Sequence, residues 1–133
     1  KEKNVSQLTK ELDVVFSRYI RLKGCGFEKD DTRYCYTCNH LAHWKKMHAG
    51  HFISRFYKAT RWDERNVKPQ CPMCNLWKSG DTVTFRENLI EEYGEEVVKE
   101  LETSRNTIQK LDRNWLLSKL EYYSSILGNS DTV

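Results

Sequence analysis

An α+β fold, mainly helical, is predicted by three observations on this 133-residue chain. Apolar residues recur at three- and four-residue intervals near both ends, the pattern of amphipathic helices. Between the ends lie two pairs of identical spacing, Cys35–Tyr36–Thr37–Cys38 and Cys71–Pro72–Met73–Cys74, which together suit one tetrahedral zinc site. The pairs enclose a β-compatible, aromatic-rich stretch around His48–Ala49–Gly50–His51. The expected organisation is an amino-terminal helix over 1–24, a zinc-clamped core over 25–102, and a carboxyl-terminal helix over 103–133.

The composition agrees with that plan. With 38% hydrophobic and 31% charged residues, the chain suits one soluble domain with a modest core, which a metal staple helps to hold. No apolar run approaches the ~20 residues that cross a bilayer, so no membrane partner is expected. No secretory-signal pattern is present, and paired thiols then read as metal ligands rather than disulfides. Cys25 has no partner in this scheme and reads as a buried thiol.

Taken in order, Leu8, Leu12, Val15, Phe16, Tyr19 and Ile20 mark a first helix, with Ser6 as its cap and Gly24–Cys25–Gly26 as its stop. Residues 33–43 form the turn that carries the first cysteine pair. Residues 44–58 read as a short hairpin leading to and from His51, with Trp44, Phe52 and Phe56 building a small core. Residues 59–70 read as a polar loop ending at Pro69. The second pair opens a helix from about Pro72 to Lys78, stopped by Gly80. Phe85, Leu89 and Tyr93 share a helical face, Gly94 interrupts it, and Val97, Val98 and Leu101 resume it. Asp112 caps a last helix with a core-like stripe at Leu116, Leu120, Tyr123 and Leu127, suited to packing or to a partner helix.

Charge is unevenly placed. Seven Lys or Arg lie between Trp44 and Lys68 against two acids, whereas eight acids lie between Asp81 and Glu102 against two bases. The basic stretch falls inside the metal clamp and is interleaved with aromatic residues, a composition that suits a nucleic-acid backbone. Arg55, Lys58, Arg61, Arg65, Lys68 and Lys78 are the candidate phosphate contacts. Inside the clamp, His51 is a group able to take a proton near neutral pH. Asn75, directly after the last cysteine, offers an amide oxygen to a hard divalent cation such as Mg²⁺. A base beside a cation is apparatus for phosphodiester hydrolysis. His40 and His43 are weaker alternatives to the cysteines as zinc ligands.

The ordered string Cys35-x-x-Cys38, Ala49–Gly50–His51–Phe52, Arg65–Asn66, Gln70–Cys71-x-x-Cys74–Asn75 and Lys78–Ser79–Gly80 resembles the HNH (ββα-metal) nucleases. Within them it is most similar to the phage NinG/Rap family of recombination endonucleases, over most of residues 12–102. The resemblance implies a zinc-stabilised ββα-metal core with flanking helices. It also implies an endonuclease acting on branched or Holliday-junction DNA in the cytoplasm of a phage-infected bacterium, as phage endonuclease VII does. By position, His51 takes the general-base role, Asn75 binds the catalytic cation, and Asn66 holds the loop that orients the histidine. Paired cuts at a two-fold junction imply a homodimer.

One departure concerns the cation. Many HNH nucleases carry an acidic ligand immediately before the base, where this chain has Gly50. NinG-like sequences commonly carry an acid three residues before it, where this chain has His48. A nitrogen ligand there favours Mn²⁺, Ni²⁺ or Zn²⁺ over Mg²⁺, or leaves a weakened site. The rival expectations are an HNH nicking or restriction-like endonuclease without junction preference, and a non-catalytic zinc module that binds DNA.

Overall fold

The computed structural model describes residues 2–25 and 30–131, the side chains of 129–131 excepted. Gly26, expected to help stop the first helix, lies outside the described residues. The elements run α1 (Val5–Lys23), β1 (Thr32–Tyr34), β2 (Leu41–His43), β3 (His48–His51), β4 (Val67–Gln70), a short π-type helix (Met73–Trp77), α2 (Thr82–Tyr93), α3 (Glu95–Thr103) and α4 (Arg113–Asp131). The mixed α+β class is therefore met, with two small two-stranded sheets among helices.

The chain divides into two compact units, one from Lys1–Tyr19 with Lys110–Val133, the other from Ile20–Gln109. In the first, Leu8, Leu12 and Phe16 on α1 are buried, as are Leu116, Tyr123 and Leu127 on α4. The Phe16 and Tyr123 rings meet edge to face at 5.1 Å. Three of the four residues of the α4 stripe are thus buried within the chain, and Leu120 is half-buried. The cap of α1 differs from expectation. Asn4 Oδ1 accepts from Gln7 N at 2.8 Å while Gln7 Oε1 accepts from Asn4 N at 2.9 Å. This reciprocal pair satisfies two end-of-helix donors, which Ser6 alone does not. Gly24, at φ 67, ends the helix as expected, and Asp112 caps α4 through Trp115 N.

In the second unit, β1 and β2 pair antiparallel around the first cysteine turn. Strands β3 and β4 pair in the register His48↔Gln70, Ala49↔Pro69, Gly50↔Lys68, His51↔Val67. The hairpin is therefore not confined to residues 44–58, and residues 67–70 are a buried strand rather than loop. Pro69 and Lys68 argue against a strand in the sequence, but each is accommodated locally. Pro69 offers only its carbonyl, which accepts from Tyr36 N at 2.8 Å. Lys68 buries its stem and pairs its ammonium with Glu92 at 3.3 Å.

Residues 52–66 leave the hairpin as a long excursion whose base lies on the main core. That core joins Phe52 and Ile53 to Phe85 and Leu89 of α2 and Val98 and Leu101 of α3. Gly94, at φ 94, separates the two helices. Trp44 is buried, as expected, but Phe56 is 78% exposed. It sits near the tip of the excursion, against Tyr57. No helix among the described residues is long and apolar enough to cross a membrane.

Candidate metal and catalytic centre

The β1–β2 turn and the start of the π-type helix bring Cys35, Cys38, Cys71 and Cys74 together, with all four sulfurs within 4.8 Å of one another. All four are free thiols. Sulfurs at 2.3 Å from a tetrahedral zinc stand about 3.8 Å apart, and Cys38 Sγ lies 3.6 Å from Cys71 Sγ. The donor set and its spacing can hold a metal ion such as zinc. Burial pushes the Cys74 thiol up to about 12 and also raises Cys38. For Cys35 burial acts the same way, but hydrogen bonds from the Thr37 hydroxyl and from the backbone of Cys71, Thr37 and Cys38 outweigh it, lowering the thiol to about 6. Only a shared cation lets four such close sulfurs ionise together. His43 is engaged elsewhere, its Nδ1 accepting from Lys45 N.

The π-type helix follows from this clamp. Asn75 N bonds Cys71 O at 3.0 Å, and Lys78 N reaches five residues back to Met73 O. Widened turns of this kind often occur at functional sites because they re-aim side chains. Here Asn75 is turned to β3, its Nδ2 lying 2.9 Å from His48 Nδ1. The amide nitrogen can only donate, so His48 Nδ1 accepts.

His51 closes the same strand. Its Nε2 lies 2.9 Å from Arg61 O. A carbonyl only accepts, so Nε2 carries the proton and the basic lone pair is on Nδ1. Arg61 belongs to the 52–66 excursion, which Asn66 fastens. Fully buried, Asn66 accepts from Ile53 N at 2.7 Å and donates to Ile53 O and Thr60 O, each at 3.0 Å. Asn66 therefore holds the loop whose carbonyl holds His51.

Strand alternation sorts the remaining groups. His48, Gly50, Lys68 and Gln70 face one side of the β3–β4 pair, and Ala49, His51, Val67 and Pro69 the other. The structure joins Asn75 to His48 and anchors His51 separately on Arg61.

The profile of one family, described as bacteriophage lambda NinG protein, matches residues 1–127. The chain belongs to the NinG family. The protein named ninG of Escherichia phage 933W is 39% identical over 82 residues, covering 59% of this chain and 39% of the relative. That of Escherichia phage lambda is 38% identical over 82 residues, with the same coverage. For Salmonella phage P22 the identity is 33% over 108 residues, covering 79% of this chain and 52% of the relative. The chain thus spans less than two thirds of the length of the relatives it matches. No solved structure matches it.

Among the basic residues of this NinG-family chain, Arg55, Lys58 and Lys78 are exposed and Arg61 is half-buried, its guanidinium over the Trp62 ring. Arg65 is engaged by Asp63 at 2.8 Å and Glu100 at 3.4 Å. Lys68 is corrected as a phosphate contact, since it is 6% exposed and held by Glu92 and the Tyr93 hydroxyl. Cys25 is half-buried rather than enclosed, its thiol 3.6 Å from Tyr34 O. Two residues escaped sequence reasoning. Trp77 is 81% exposed on the helix that carries Asn75, and Gln70 is fully buried with its Oε1 unpartnered. In the sequence Gln70 stands out only as the residue before Cys71 in the string that resembles the HNH nucleases.

Proposed function

We propose that this NinG-family protein is an HNH-type, metal-dependent DNA endonuclease, selective for branched or four-way junction DNA and working as a homodimer. The observation that carries the reading is the hairpin–helix unit β3, β4 and Met73–Trp77, which is fixed by the cysteine cluster. It carries a tautomer-locked histidine at the end of β3 and, on the other face of that strand, a histidine paired with the helix asparagine. The order β–β–α, the four cysteines and the resemblance to HNH nucleases support the ββα-metal assignment and a structural zinc.

In this reading His51 Nδ1 takes the proton of a water as its oxygen attacks the phosphorus. Arg61 O, accepting from Nε2–H, stabilises the imidazolium that results. The bond from phosphorus to the 3′ oxygen breaks, leaving a 5′-phosphate and a 3′ oxygen that takes a proton from solvent to become the hydroxyl, while His51 returns its own proton to solvent. His48 and Asn75 would hold the divalent cation, which supplies charge stabilisation for the phosphoryl group and the leaving oxygen. Their fit rests on spacing: the 2.9 Å between the two side chains is close to the ~3.0 Å edge between neighbouring ligands of an octahedral ion with 2.1 Å bonds. Rotating the Asn75 amide by half a turn exchanges its nitrogen for the oxygen such an ion needs. Arg55, Lys58 and Lys78 supply exposed charge for the DNA backbone.

The test incubates zinc-loaded protein with labelled four-way junction and linear duplex in Mg²⁺, Mn²⁺ or Ni²⁺, beside His51→Ala. Junction cleavage that falls by about 10² to 10⁴-fold in the variant, with DNA affinity retained, is expected. Equal cleavage of duplex and junction removes the junction preference. No cleavage by the wild type with any cation leaves a zinc-dependent DNA-binding module.

A further inference from the structure

We propose that Gln70 is a third protein ligand of the catalytic divalent cation, its amide oxygen standing in the space that a side chain on residue 50 would otherwise fill. The proposal rests on the reading of His48 and Asn75 as cation ligands.

Gln70 is fully buried. Its Nε2 donates to Gly80 O at 2.8 Å and to Thr37 Oγ1 at 3.1 Å. Exchanging the amide ends would set Oε1 against the Gly80 carbonyl oxygen, so the assignment of nitrogen and oxygen is fixed by chemistry. Oε1 is then a buried acceptor with no donor, a state that costs roughly 1–3 kcal/mol when nothing satisfies it. A folded protein rarely keeps such an atom without a use.

The atom's position points to that use. Gln70 pairs directly with His48 across the sheet, so their side chains leave the same face. Gly50 lies on that face too, and a Cβ built on it would stand 1.9 Å from Gln70 Oε1. Gly50 is thus the residue that admits the amide oxygen. Asn75 reaches the same face through His48. Lys68, the cationic residue opposite Gly50, directs its ammonium to Glu92 and Tyr93 instead.

An imidazole nitrogen and two amide oxygens form a ligand set without charge. Such a set binds hard Mg²⁺ weakly and favours Mn²⁺ or Ni²⁺. It leaves the ion's charge for phosphate oxygens to neutralise, so bound DNA should tighten the cation.

The decisive experiment titrates the zinc-loaded full chain with Mn²⁺ and reads the free ion by electron paramagnetic resonance. Gly50→Ala leaves all three ligand side chains in the sequence but drives Oε1 from its place, and should weaken Mn²⁺ binding about tenfold or more. Gly50→Asp supplies a carboxylate in the same space and should bind Mn²⁺ more tightly than wild type. Zinc content and thermal midpoint verify that each variant is folded. Should either fail to fold, anomalous scattering from wild-type crystals soaked in Mn²⁺ decides. An ion within about 2.0–2.6 Å of Gln70 Oε1 supports the proposal. An ion on His48 and Asn75 with Oε1 more than about 3.5 Å away overturns it while leaving the nuclease reading intact. No ion at His48 and Asn75 overturns both this proposal and the cation site of that reading.

Discussion

Replacing Asn66 by Ala should destabilise the protein more than a polar loop residue normally does. Two groups, Ile53 N and Ile53 O, lose the partner this one fully buried side chain gives them, and Thr60 O is left with Asp63 N alone. Each buried backbone group left unsatisfied costs roughly 1–3 kcal/mol, and water entering the small space recovers part of that. The expected loss is about 2–4 kcal/mol, a large share of a domain's usual ~5–15 kcal/mol. Urea unfolding measures it, and hydrogen exchange locates it, because Ile53 N–H should lose its protection first. The loosened Thr60 segment also frees Arg61 O from His51, so under the proposed function kcat falls while KM holds. Asn66→Asp adds a pH signature. A carboxylate there faces two carbonyl oxygens, so its folded pKa is raised above the unfolded ~3.9. The variant's stability is best below that unfolded value and is lost as pH rises through the folded one. A loss below about 1 kcal/mol for Asn66→Ala, with Ile53 exchange unchanged, would refute the clasp.

Three further outcomes are expected. Chelation should remove one zinc per chain, read by native mass spectrometry, and should speed hydrogen exchange over Cys35–Ala42 and Met73–Trp77 more than in α2 and α3, whose core does not use the cysteines; uniform exchange would speak against a local staple. Under the proposed function, Lys58→Ala and Lys78→Ala should each lower the salt slope of DNA binding by about one, whereas Lys68→Met should leave it unchanged because that ammonium is already paired. Thr37→Val should increase zinc loss and weaken Mn²⁺ binding together, measured by a colorimetric zinc indicator and by resonance of the free ion; a change in one alone would separate the two centres.

The helices were legible because their information is local. The stripes at Leu8, Leu12 and Phe16 and at Phe85 and Leu89 repeat at helical spacing, and Gly24, Gly94 and Asp112 sit where ends require them. The cysteine cluster was legible because two identical spacings have few other uses. Strand β4 was hidden, since Lys68 and Pro69 look like loop residues until Glu92 and Tyr36 are seen to satisfy them from 24 and 33 positions away. Phe56 was misjudged for the opposite reason: an aromatic in a short basic stretch carries no sign of whether its loop folds inward. The partnerships of His48 with Asn75 and of His51 with Arg61 depend on register and on a widened helical turn, neither of which residue order alone specifies.

The two centres are not independent parts set side by side. Thr37 Oγ1 lies 3.4 Å from Cys35 Sγ and also accepts from Gln70 Nε2. The amide nitrogen can only donate, so the hydroxyl accepts from it, and its one proton is left for the sulfur once that sulfur is a thiolate. The sulfur–hydroxyl–amide chain continues through Gln70 to Gly80 O, beyond the second cysteine pair. Cys74 and Asn75 are adjacent, so fixing one sulfur also fixes the helix turn that aims the Asn75 amide at His48. An ion held by four thiolates would therefore act on the strand face by two routes, through Thr37 to Gln70 and through Cys74 to Asn75. Both end on the face of β3 that carries His48 and Gly50. The zinc would then do more than staple a small domain: its occupancy would set the spacing at which two amides meet one imidazole, and hence whether that face can grip a second cation.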